Sequence, residues 1–151
     1  MILMNFYGLD LLLFFIINIA NIDIAIIFLA RVKKPGLERG LGIIYIALSI
    51  PTLILIILNI VFLREWWFWV FPSIFFIFVI FEIMVDYVKK IEFRNPRKKK
   101  ILVPYLLLYY ISIILMWGLT WTLGILFGAI TGITYFLQLG CSIYAGKKGV
   151  G

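Results

Sequence analysis

The sequence has no histidine, one cysteine and only 14% charged residues. The missing imidazoles exclude haem axial histidines, His-based zinc sites, His general bases and His-containing triads. A single cysteine, Cys141, closes no internal disulfide, and no CxxC pair exists. Within its apolar run, Cys141 reads as a small packing residue. Also missing are GxSxG, HExxH and a glycine-rich phosphate loop. The denser acidic clusters of enzymes acting on phospholipid or prenyl phosphates, such as DxxD or DGxxAR, are absent too. No catalytic motif is recognisable, and no cofactor or metal is expected.

What fills the chain is apolar. Of 151 residues, 65% are hydrophobic and 18% aromatic, with a mean hydropathy of +1.15. Soluble domains carry about 45–50% apolar residues. A bilayer core takes about 20 apolar residues as helix. Five stretches meet that length, at about 8–30, 41–63, 66–88, 102–118 and 122–145. The last two are separated within one long block at GLTW, residues 118–121, where Gly and Thr punctuate the run. The expected fold is an all-α integral membrane protein, a five-transmembrane-helix bundle forming one membrane domain over 1–151. The first ten residues, MILMNFYGLD, lack the basic n-region of a signal peptide. The first span is therefore read as retained.

The net charge is +7, but its distribution argues against nucleic acid, which needs a basic groove or aromatic platform on a soluble surface. Arg31, Lys33, Lys34 and Arg39 follow the first span, seven basic residues from Lys89 to Lys100 follow the third, and Lys147 and Lys148 follow the fifth. All but Arg64 of the 14 basic residues thus fall on one side. The positive-inside rule makes that side cytoplasmic and the N-terminus external, in the cell membrane. Trp66, Trp67, Trp69, Trp117 and Trp121 fall at the two opposite turns, as an aromatic belt should. The cluster Arg94, Arg97, Lys98, Lys99 and Lys100 is expected to contact anionic headgroups.

Helical spacing gathers polar and small residues into stripes. The second span aligns Tyr45, Ser49, Thr52 and Asn59; the fourth aligns Tyr105, Tyr109, Ser112 and Met116; the fifth aligns Gly124, Gly128, Thr131, Tyr135, Gln138 and Ser142. In the first, Asp10, Asn18, Asn21 and Ala25 fall together, and Asp23 is expected to point away. Such stripes are either interhelical glue or the lining of a cleft. Gly124, Gly128 and Gly132 form overlapping GxxxG motifs, suited to close helix packing within the bundle or against a second copy. Pro51 is expected to kink the second span, and Pro72 and Pro104 to lie in first turns.

The stretch IFEIMVDYVKK holds the sharpest chemical question. Glu82 and Asp86 are four residues apart, on one helical face that Lys90 continues. Asp86 reads as an interfacial ion-pair partner. Glu82 lies two turns deeper, where an ionised acid is costly and marks a pathway or a paired site. Asp23 has a similar depth above Arg31. Glu82, Asp86, Asp23, Asn21 and Gln138 are therefore the candidates for an ion, proton or polar-core site. Three roles follow: a membrane subunit acting by helix–helix contact, a proton- or cation-coupled transporter or channel protomer, and a lipid-headgroup enzyme. The contact role stands slightly ahead, and the missing chemistry puts the enzyme last. The expected partners are the bilayer and a second copy or a larger membrane complex.

Overall fold

The structure is a computed structural model and describes residues 6–34, 36–91 and 98–150, apart from the side chain of Arg39. The described residues are helical, with no strand among them. The elements are α1 (Tyr7–Lys33), α2 (Glu38–Ala47), α3 (Ser49–Val61), α4 (Trp67–Glu82), α5 (Lys99–Thr120) and α6 (Ile125–Lys147). A π-helical turn, Ile83–Val88, continues α4, and a 3₁₀ turn, Trp121–Leu123, follows α5. With α2 and α3 taken as one span, five helices are long and apolar enough to cross a membrane. This is the architecture of a multi-pass membrane protein.

Pairings along the spans define their directions. Phe14 packs on Phe127, Asn18 bonds Thr131 and Asn21 bonds Thr134. Both residue numbers rise together, so α1 and α6 run parallel. Trp117 bonds Gly128 while Tyr109 bonds Gln138, so α5 and α6 run antiparallel. The spans alternate, with lysines at one end of the bundle and tryptophans at the other.

The helix α1 is the hub. It packs against α2, α3, α5 and α6. Some 56% of its most apolar window is buried, against 33% or less in the other spans. That enclosure corrects one expectation. Asp23, off the stripe of Asn18 and Asn21, does not face lipid: it is 5% exposed, because neighbours cover both faces of α1.

The second span breaks at Leu48, one turn before Pro51. Proline has no N–H for the Ala47 carbonyl four residues back. At the break the Leu48 N–H is shared between the Ile44 and Tyr45 carbonyls. Pro72 and Pro104 are not in first turns: α4 begins at Trp67 and α5 at Lys99, which puts both prolines in second turns.

The last connection also differs from expectation. α5 runs on to Thr120, and the chain reverses at Gly124, whose φ of +131° disfavours any side chain. Gly124 is thus a hinge outside α6, not the first member of a packing face. Gly128 and Gly132 remain on that face, but what they seat is indole. A Cβ on Gly128 would collide with the Trp121 ring, and one on Gly132 would come within 3.0 Å of Trp117. The Trp117 indole N–H donates to the Gly128 carbonyl at 2.8 Å. The glycine face closes the α5–α6 hairpin of its own chain.

Candidate functional site

Polar side chains meet in three places. The first is a ladder between α1 and α6. Asn18 donates to Thr131 at 3.0 Å and accepts from Thr134 at 2.8 Å. The Asn21 amide donates to Thr134 at 3.1 Å. Matching three-residue steps on two parallel helices bring these groups level, and each bond replaces a cost of burying an unpaired amide in hydrocarbon.

The second place is the tryptophan end. Arg64 follows α3 and reaches Asp10 of α1 at 2.7 Å, with both side chains largely buried. It also donates to the side-chain Oδ1 of Asn59 at 3.1 Å, and its guanidinium lies 3.6 Å from the centroid of the Phe68 ring. Its charge is fully partnered, and the cluster works as a clip. Nothing in the local sequence signals this pair, since 54 residues separate its members.

The third place is an aromatic layer nearer the lysine end. Tyr45, Tyr105 and Tyr109 surround Phe78, with ring centroids 6.2, 5.2 and 5.2 Å away. The Tyr105 hydroxyl faces a Glu82 carboxyl oxygen at 3.5 Å. The Gln138 amide donates to the Tyr109 hydroxyl. Tyr45 lies within electrostatic reach of Glu82, Tyr109, Tyr105 and Asp23. These residues come from five different helices. With the π turn counted as part of α4, each lies between six and ten residues from its own end at the lysine side, or about 9–15 Å at ~1.5 Å per residue. They form one stratum of the bundle.

Around this layer four buried atoms have no hydrogen-bond partner among the described residues. They are Asn21 Oδ1, Asp23 Oδ2, the Tyr45 hydroxyl and Gln138 Oε1. Buried polar atoms are ordinarily paired, and in a bilayer interior an orphan costs several kcal/mol. Three of the four are oxygens that only accept, once Asp23 is ionised. The set is short of donors, the Tyr45 hydroxyl being its one O–H.

The candidate residues thus separate. Asp23, Asn21 and Gln138 are buried. Glu82 and Asp86 are half-buried and belong to different kinds of turn. The helix widens after Glu82, and the Lys89 N–H bonds the Met84 carbonyl five residues back. Asp86 therefore sits on a π turn, and the pair is not two positions of one regular α-helical face. Short π segments are rare and often mark functional sites. The Tyr87 hydroxyl fills the space beside Gly42, where a Cβ would collide with it. Among the described acids Asp23 is the most enclosed. Of the basic cluster, Lys98, Lys99 and Lys100 are exposed, while Arg94 and Arg97 lie outside the described residues.

No three acids or cysteines come together as a metal cluster among the described residues. A single enclosed carboxylate, Asp23, suits a proton or a weakly held monovalent cation better than a divalent one, which takes several carboxylates. Comparison of the chain with protein-family models, with characterised proteins and with solved structures gives no match.

Proposed function

We propose that this multi-pass protein of the cell membrane moves protons or a small monovalent cation through its tyrosine layer. The observation that carries the reading is the buried Asp23 carboxylate, one oxygen of which has no partner among the described residues, with further unpartnered atoms on Asn21, Tyr45 and Gln138. A cation or a proton supplies what such a group lacks. Asp23 is the charge that binds it, and the unpartnered amide and phenol oxygens are further acceptors for it within the bundle. Glu82, facing Tyr105 at 3.5 Å, gives the layer a second carboxylate toward the lysine end. The widened turn after Glu82 interrupts the regular helix there and suits an entry route.

A subunit acting by contact alone accounts for the Asn18–Thr131–Thr134 ladder, whose bonds are glue. It leaves the four orphan atoms without a purpose. The skew of lysines and arginines supports a cytoplasmic lysine end and an external N-terminus. A second copy or a larger membrane complex is compatible with either role.

The test is ion flux into proteoliposomes, followed with pH- and potential-sensitive dyes under imposed proton, sodium and potassium gradients. Asp23→Asn should abolish the flux and Glu82→Gln should slow it, with both variants folded by circular dichroism. Flux that survives Asp23→Asn unchanged, or no flux from folded wild-type protein, would reject this reading and leave the contact role.

A further inference from the structure

On the lipid-facing side of the bundle, α1 and α6 leave a cleft of about 540 Å³ at the lysine end. Leu29 and Lys33 of α1 form one wall, and Phe136, Gly140, Cys141 and Tyr144 of α6 form the other. From Phe136 to Tyr144 the cleft spans two helical turns, about 12 Å at ~1.5 Å per residue. Gly140 is one of the residues that line it. A Cβ on Gly140 would meet nothing within 4 Å, so any larger side chain there would project into the cleft.

The charge at its mouth has one sign. Lys33 is part of the lining and is exposed. Lys148 lies with its ammonium 6.0 Å from the centroid of the Tyr144 ring, on the opposite wall. No acid is among the lining residues. An apolar slot with ammonium groups at one end matches an amphiphile with an acyl tail and an anionic head. We propose that this cleft is a binding site for one anionic phospholipid, its acyl chain lying over Gly140 between Leu29 and Phe136 and its phosphate held between Lys33 and Lys148. The position is separate from the Lys98–Lys100 cluster, whose contact with headgroups needs no cleft. It is also independent of ion movement through the tyrosine layer.

The experiment is native mass spectrometry of the full chain released from micelles containing equal phosphatidylglycerol and phosphatidylcholine. Wild type should retain one phosphatidylglycerol in preference to phosphatidylcholine. Lys33→Gln and Lys148→Gln should each weaken that preference about fivefold, the worth of one lysine near an anionic surface. Gly140→Leu should abolish retention of either lipid. It fills open space and removes a helical glycine, so the fold should tolerate it. Cys141, the only cysteine, reports independently. Its reaction with N-ethylmaleimide should slow when phosphatidylglycerol is added and not when phosphatidylcholine is. Retention unchanged in Gly140→Leu, or a preference unchanged by both lysine variants, would overturn the proposal. Oxidative cross-linking of two copies through Cys141 with no lipid retained would assign the cleft to a second copy and overturn it equally.

Discussion

The side-chain amide of Asn59 donates a hydrogen bond of 3.2 Å to the backbone carbonyl of Phe68. That carbonyl is the one Pro72, four residues later, leaves without its helical donor. In a bilayer interior water cannot take the place of the missing N–H. The chain supplies the donor from the preceding helix instead. The same asparagine accepts from Arg64, and Arg64 pairs with Asp10. One connected set of bonds therefore ties α1, α3 and α4 at the tryptophan end.

That relationship predicts a rescue. Asn59→Leu should destabilise the protein by about 1–3 kcal/mol, the cost of an orphaned buried carbonyl. Pro72→Ala restores a helical N–H to Phe68. The double variant should then lose less than the single losses combined. Thermal unfolding in detergent measures this, and strictly additive losses would show that Asn59 does not serve that carbonyl.

Asp10→Asn removes the charge opposite a largely buried guanidinium. Leaving a buried cation unpaired costs about 3–5 kcal/mol. The neighbouring Glu65 is exposed, and Glu65→Gln should change stability by no more than about 0.5 kcal/mol. Equal melting temperatures for the two variants would refute the clip.

Gly128→Ala places a methyl group against the Trp121 ring. Overpacking of this kind costs about 1–3 kcal/mol. The variant should melt earlier and shift tryptophan emission, with its oligomeric state unchanged in light scattering. Loss of a dimer with emission and melting intact would instead make the glycine face a contact between copies.

Two tyrosines separate structure from activity. The Tyr45 hydroxyl has no partner among the described residues, whereas the Tyr109 hydroxyl accepts from Gln138. Tyr45→Phe should leave the melting temperature unchanged or raise it, since it deletes an orphan. Tyr109→Phe should lower stability by about 1 kcal/mol. If the layer conducts, Tyr45→Phe should still slow the flux. A variant that melts early would mean that the hydroxyl has a structural partner.

Much of the architecture was legible in the sequence because its causes are local. Span length follows from hydropathy, and the inward stripes of Tyr45, Thr52 and Asn59 or of Tyr109, Ser112 and Met116 follow from helical period; the structure buries all six. Helix type is less legible. The π turn after Glu82 and the hinge at Gly124 change pitch or direction within stretches that read as continuous helix.

Sequence alone determined that the chain is a five-span membrane bundle with lysines at one end and tryptophans at the other. A continuous run of about 20 apolar residues satisfies its own backbone in lipid as a helix, whereas the strands of a closed barrel are about half as long and alternate in polarity. Only the tertiary structure decided which helix is central. A helical wheel assigns Asp23 a direction but cannot say whether a neighbour stands there. The enclosure of α1 from both sides makes Asp23 a buried acid. It also brings Asp23 within electrostatic reach of Tyr45. Arg64 and Asp10, 54 residues apart, meet for the same reason. Contacts between spans depend on how whole helices pack, and periodicity within one span carries no record of its neighbours.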